Sequence, residues 1–234
     1  MPETLLTISG LDAFYNDFQA LYGVDLAIGV GEVVAIIGAN GAGKTTLMRA
    51  ITGFLKSRPD AVTWKGTAIG ALRVDQIAAR GIALVPEGRL LFPSLSVEEN
   101  LIIGGQLGRR GPWNLKRVYD LFPVLEERRL VPATALSGGQ QQMVAIGRAL
   151  MANPELLLLD EISLGLAPVI IKAIYDALPS IVGEGLTAMI VEQDIARALS
   201  VSSRLYCLQE GRVSLAGRSD GVTRAAIANA YFGV

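Results

Sequence analysis

Histidine is missing from this chain altogether, and cysteine occurs once. Without histidine there is no imidazole base, no imidazole metal ligand and no side chain that titrates near neutral pH without perturbation. A lone Cys207 excludes an internal disulfide. Its place in the apolar run Leu205 to Leu208 predicts a small, buried side chain. Charge of one sign is lacking too: 21 basic residues stand against 22 acidic ones, so nothing favours nucleic acid as a partner. No unbroken apolar stretch reaches the roughly 18–20 residues of a membrane-crossing helix. The longest, such as Leu156-Leu157-Leu158-Leu159, predict short strands buried in a parallel sheet. Met1-Pro2-Glu3-Thr4 has neither the basic start nor the apolar core of a secretory signal. The expectation is a cytoplasmic chain that meets a membrane only by docking on a partner.

What is present is 234 residues, half of them hydrophobic. That suits one large domain over 1–234 with a sizeable insertion. Short alternating bursts from Leu5 to Ile28 predict antiparallel strands. Val33–Ile37 predicts a buried strand feeding a glycine loop, and Thr45–Ile51 a helix that stops near Gly53. Gly81–Val85 is another strand, ended by Pro86. From about Gly88 to Ala135 the pattern turns charged and helical, with Leu115, Val118, Leu121, Phe122 and Leu125 at helical spacing. This block, about 88–135, predicts a helical subdomain inserted in the core. A helix over Gln140–Met151, closed by Asn153-Pro154, precedes strands at Leu156–Asp160 and Ala188–Val191. Pro179 should kink or end the helix between those strands. Alternating strands and helices predict an α/β parallel sheet.

Three segments carry chemistry. Gly38-Ala39-Asn40-Gly41-Ala42-Gly43-Lys44-Thr45 has the GxxxxGK[ST] spacing of a phosphate-binding loop. Glycines 38, 41 and 43 let the backbone turn tightly and aim N–H groups at phosphates, and the following helix adds its positive end. Lys44 supplies a cation for the terminal phosphates, Thr45 a hydroxyl for Mg²⁺, and Thr46 assists at a phosphate. Leu157-Leu158-Leu159-Asp160-Glu161 ends a strand in two acids: Asp160 to hold Mg²⁺ through water, Glu161 to polarise the attacking water. Phosphoryl transfer needs little covalent help, so placing charge and water is most of the catalysis. Ser137-Gly138-Gly139-Gln140 opens a helix and offers a second anion site through its amides and the Ser137 hydroxyl.

Loop, Ser-Gly-Gly-Gln segment and acidic strand, in that order, resemble the nucleotide-binding subunit of an ATP-binding cassette (ABC) transporter. The resemblance implies the ABC ATPase fold: a P-loop NTPase core with an antiparallel β subdomain and a helical insertion. It implies ATP and Mg²⁺, and a second ATPase subunit packed head to tail, as homo- or heterodimer. Each ATP then lies between the Lys44 loop of one subunit and the Ser137 segment of the other. Tyr15 sits where the family stacks an aromatic ring on adenine. Asn40 and Ala42 belong to the nucleotide-binding loop, and Ser163-Leu164-Gly165-Leu166-Ala167-Pro168 to the segment that crosses to the partner. That segment lacks the usual aspartate, and Ile162 replaces the proline often found after the glutamate.

Two departures narrow the branch. Glu87, in Val85-Pro86-Glu87-Gly88-Arg89, stands where most members carry a glutamine that senses Mg²⁺ and contacts the membrane partner. Gln193, in Val191-Glu192-Gln193-Asp194, stands where most carry a histidine that touches the γ-phosphate. With these, the Leu91–Leu101 stretch and the terminal Ala230-Tyr231-Phe232-Gly233 look like the LivF-type ATPases of branched-chain amino acid importers. That resemblance implies two transmembrane permease subunits, an external solute-binding protein, and a place on the inner face of the cell membrane. Gln193 can donate a hydrogen bond to phosphate but brings no positive charge, while Glu87 brings a negative one. Related importers for urea or short amides share much of the pattern. A switch subunit that closes on ATP but hardly hydrolyses it is the main alternative. A non-transport ABC protein acting on ribosomes or DNA is a third, against which stand the single cassette and the absence of a basic patch or heptads. Glu161→Gln should retain ATP binding and lower turnover by about 10²–10⁴-fold; a Mg²⁺-dependent phosphate-release assay on the purified variant checks it.

Overall fold

The computed structural model describes residues 3–183 and 185–232. Gly233 of the terminal motif and Met1-Pro2 of the amino terminus lie outside them. First come strands β1 (Thr4–Tyr15), β2 (Phe18–Gly29) and β3 (Val33–Ile37), helix α1 (Lys44–Ile51), strands β4 (Val62–Trp64) and β5 (Thr67–Ala68), and helix α2 (Val74–Ala79). Strand β6 (Ile82–Val85) leads into helices α3 (Val97–Gly104), α4 (Leu115–Leu121), α5 (Pro123–Glu127) and α6 (Gly138–Met151). Then follow β7 (Leu156–Asp160), α7 (Pro168–Gly183), β8 (Thr187–Val191), α8 (Ile195–Val201), β9 (Arg204–Gln209), β10 (Arg212–Arg218) and α9 (Arg224–Phe232). The chain forms two compact units: one runs up to Arg80 and resumes at Thr187, the other is Gly81–Leu186.

In the first unit, β1 pairs with β2 and β4, and β4 with β5, all antiparallel. The pairs Leu6–Ile28, Ile8–Leu26, Leu11–Val24 and Ala13–Leu21 face each other across β1 and β2, and every member is buried. Period-two alternation thus buries one face of the sheet. The same unit holds β3 between β8 and β9, parallel to both, with β10 antiparallel to β9. Val34, Ala35, Ile36 and Ile37 are buried without alternation, as befits a parallel strand covered on two faces. Ala198 of α8 and Ile227 of α9 pack with Ala35, Ile37, Leu205 and Cys207 on one of them. Cys207 is the buried side chain the sequence predicts, and burial pushes its thiol up from the ordinary range.

The second unit pairs β6 with β7 in parallel and builds its helices around α6, whose Val144, Ile146 and Leu150 are fully buried. Helix α3 crosses α6 at glycines. A β-carbon at Gly104 would lie 1.9 Å from the Arg148 carbonyl oxygen, and one at Gly147 would lie 2.7 Å from Val118 and 2.8 Å from Leu101.

Three expectations need correction. The helical spacing from Leu115 to Leu125 is not one helix: it breaks at Phe122, whose φ of −132° and ψ of 77° leave the helical region, because a residue before proline clashes there with the ring. Helix α6 begins at Gly138 rather than Gln140, since Ser137 caps it. Helix α7 runs through Pro179 to Gly183, so the proline does not end it. Gly104→Ala should lower stability by about 1–3 kcal/mol through forced separation of α3 and α6, as measured by urea unfolding.

Candidate nucleotide-binding site

The glycine loop is built from the end of β3 and the start of α1. Gly38, Gly41 and Gly43 take φ values of 153°, 82° and 103°, and the last two lie in the region that side chains avoid. Space requires glycine as well. A β-carbon at Gly38 would lie 2.3 Å from the Leu208 carbonyl oxygen, and one at Gly43 would lie 2.6 Å from a Leu21 methyl. The turn between β9 and β10 braces the loop from behind, its Gly211 amide donating to the Ala42 carbonyl at 3.0 Å. Gly43 precedes α1 without a side-chain cap, and no acidic residue lies in the first turn. The first amides of α1 are therefore left for an anion.

Lys44 is 4% exposed. Its ammonium donates to the carbonyls of Gly38 at 2.8 Å and Ala39 at 3.1 Å, so the loop closes over its own cation. Ala39, Asn40 and Gly41 form the exposed rim, while Thr45 is half-buried and Thr46 buried. The Thr46 hydroxyl lies 3.5 Å from the Tyr15 hydroxyl. Tyr15 ends β1 beside a tight turn at Asn16, and its hydroxyl also accepts from the Arg49 guanidinium at 3.2 Å. In the same unit, Glu192 is buried at the end of β8 and donates its amide to the Ile36 carbonyl at 3.2 Å. Gln193 follows, half-buried, and Asp194 caps α8.

The second unit holds the acids and the Ser137 segment. Asp160 is 3% exposed at the end of β7. Glu161 comes next with a φ of 47°, a left-handed conformation that costs a non-glycine residue about 1–3 kcal/mol. A turn bond from the Leu164 amide to the Glu161 carbonyl at 3.1 Å holds it. Glu87 is exposed in the turn after β6. The Ser137 hydroxyl accepts from the Gln140 amide at 3.3 Å, and the Gln140 side chain accepts from the Ser137 amide at 3.0 Å. This capping box gives Gln140 a local task, and leaves the amides of Gly138 and Gly139 outside it. Gly139 is required by space: its β-carbon would lie 2.4 Å from Ile170.

The donor chemistry suits a Mg²⁺–polyphosphate. Among the described residues no group of three or more His, Cys, Asp or Glu side chains could hold a metal alone. Mg²⁺ ordinarily takes one or two protein oxygens and fills its shell with phosphate and water. Taken each in its own unit, the half-buried Thr45 hydroxyl and the buried Asp160 carboxylate are oxygen donors of the type that shell accepts, directly or through water. The motif reading missed Arg49 and Arg148. Their signal was a charged residue inside an otherwise apolar helical stretch.

The family described as ABC transporter matches residues 21–163. The chain belongs to the ABC transporter family. A high-affinity branched-chain amino acid transport ATP-binding protein, BraG of Pseudomonas aeruginosa, is 40% identical over 232 residues, covering 98% of this chain and all of that one. A probable branched-chain amino acid transport ATP-binding protein, LivF of Archaeoglobus fulgidus, is 33% identical over 213 residues, covering 90% of each. A solved dimeric ATP-binding cassette in a post-hydrolysis state, bound to ADP and Pi, matches at a TM-score of 0.82 and 26% identity, over 93% of this chain and 100% of that one. The chain is an ABC-type ATPase cassette with the mixed parallel and antiparallel α/β fold expected of it. Among its described residues no helix is long and apolar enough to cross a membrane. Gly38→Ala in this cassette should abolish measurable binding of a fluorescent ATP analogue, because the loop cannot close against Leu208; titration by anisotropy checks it.

Proposed function

We propose that this cassette hydrolyses ATP to power an importer of branched-chain amino acids. The observation that carries this reading is the 40% identity to BraG, a branched-chain amino acid transport protein, across all of that protein's length. In this reading the Lys44 loop binds the phosphates through the amides of residues 41–46, with Gly38 and Gly43 keeping the cradle open, and Tyr15 stacks on adenine. Thr45 and Asp160 supply oxygens for Mg²⁺, and Glu87 senses the ion. Mg²⁺, when bound, neutralises charge on the phosphates. Glu161 orients the attacking water, and its strained backbone supports that role by fixing the direction of the carboxylate. Gln193 donates a hydrogen bond to the γ-phosphate, and Ser137, Gly138 and Gly139, aided by Gln140, present their amides to the ATP held by a partner cassette.

Two cassettes packed head to tail make ATP part of the interface, so binding closes the pair and hydrolysis opens it. The helical block at about 88–135 faces two permease subunits at the inner face of the membrane, and an external binding protein delivers the solute. One observation favours a second reading, an ATP switch with little turnover: a neutral amide stands at Gln193 where a cation would lower the barrier further.

Mg²⁺-dependent ATP turnover by the purified chain decides between them, with Glu161→Gln as the reference. Turnover that disappears in the variant supports the importer ATPase, whereas tight ATP binding without turnover in either protein supports the switch. Uptake of labelled leucine, and not of urea, by vesicles carrying the assembled transporter is the expected outcome for the solute.

A further inference from the structure

Arg89 and Leu90 are consecutive non-glycine residues in the left-handed region, with φ values of 67° and 45°. Turn bonds from the Arg89 amide to the Pro86 carbonyl at 3.3 Å and from the Leu90 amide to the Gly88 carbonyl at 2.7 Å shape this backbone locally. The left-handed region remains unfavourable for both side chains, so a contact from outside the loop helps to hold it. Arg148, near the end of α6, donates to the Arg89 carbonyl at 3.0 Å and to the Leu90 carbonyl at 2.8 Å. Its guanidinium also lies 5.7 Å over the Phe92 ring. Helix α3 holds the other end of the loop: buried Asn100 accepts from the Phe92 amide at 2.9 Å and donates to the Phe92 carbonyl at 3.1 Å. Among the described residues no carboxylate pairs with Arg148, and burial lowers its pKa from the ordinary guanidinium value. A half-buried cation is costly, and here its donors go to the carbonyls of the two strained residues.

The loop in turn reaches the start of α6. The Arg89 guanidinium donates to Gln141 at 3.4 Å, and Gln141 donates to the carbonyls of Leu136 and Ala133 at 3.2 Å each. A β-carbon on Gly138 would lie 3.2 Å from the Arg89 side chain. A path of bonds thus runs from Arg148, through the strained backbone after Glu87, to the residue that precedes Ser137.

We propose that Arg148 is a positioning residue that latches the Glu87 loop to α6, so that the loop and the Ser137 helix terminus shift as one body. The proposal rests on the reading that Ser137 meets ATP and that the Glu87 loop faces the permease. Movement of the loop is then delivered to the ATP contact. With the latch released, Arg89 and Leu90 relax out of the left-handed region and the link to Ser137 is lost.

Amide hydrogen exchange on the full chain tests this without requiring turnover, so an inactive cassette would sink the ATPase reading and still report on the latch. Arg148→Ala should speed exchange by about tenfold or more both at 89–92 and at 138–141, while the Lys44 loop and its affinity for MgADP stay unchanged. In Arg148→Ala/Leu90→Gly the protection at 138–141 should largely return, because glycine takes a positive φ without help. Simple loss of Arg148 packing would not be rescued by a glycine on the loop. If Arg148→Ala fails to fold, Arg148→Lys, which keeps the stem and one donor, should show the same paired loss at an unchanged melting temperature. Deprotection confined to 89–92, or no rescue by Leu90→Gly, overturns the latch.

Discussion

The loop after β3 depends on a single condition: the absence of β-carbons at Gly38 and Gly43. With any side chain at Gly38 the backbone could not pass the Leu208 carbonyl, and β3 and β9 could not lie side by side at that point. The buried Lys44 depends on the same passage, because the carbonyls of Gly38 and Ala39 are what hold its ammonium. The cation is kept out of bulk water in a site of low dielectric, where its attraction for phosphate is strongest. The first unit's sheet therefore does more than support the loop; the turn at Gly211 and the end of β9 define its shape.

The absence of histidine sets the electrostatics of this cassette apart. In the proposed site, positive charge toward phosphate would come from Lys44 and the start of α1, and from the α6 terminus of a partner cassette, not from the side chain after β8. Gln193 would offer directional hydrogen bonding in place of charge. Backbone dipoles and helix termini are fixed by the fold and do not titrate, so the phosphate environment should change little across the range in which imidazole would switch.

The second unit keeps its strain where its chemistry is proposed. Glu161, Arg89 and Leu90 all carry positive φ values, each an expense of about 1–3 kcal/mol that the surrounding packing must offset. The offset is visible in the close crossing of α3 and α6, which Gly104 and Gly147 permit, and in the buried Asn100, which satisfies both the amide and the carbonyl of Phe92.

Sequence by itself determined the elements around the motifs, both glycine-rich turns and the acidic strand end, because these rest on local chemistry: Val33–Ile37 as a fully apolar run, Ser137 as a cap, Gly43 before a helix. Its longer-range periodicity misled at Phe122, where Pro123 overrides hydrophobic spacing. At Pro179 the helical pattern held and the proline did not end the helix, because the rest of α7 carries it past the residue. The tertiary structure alone decided that Gly38 is needed for passage beside Leu208, that Tyr15 is held by Arg49 and Thr46, and that Arg148 grips the loop after Glu87. Each of these joins residues far apart in the chain or fixes a dihedral angle, and neither the distance nor the angle is written in the spacing of residue types.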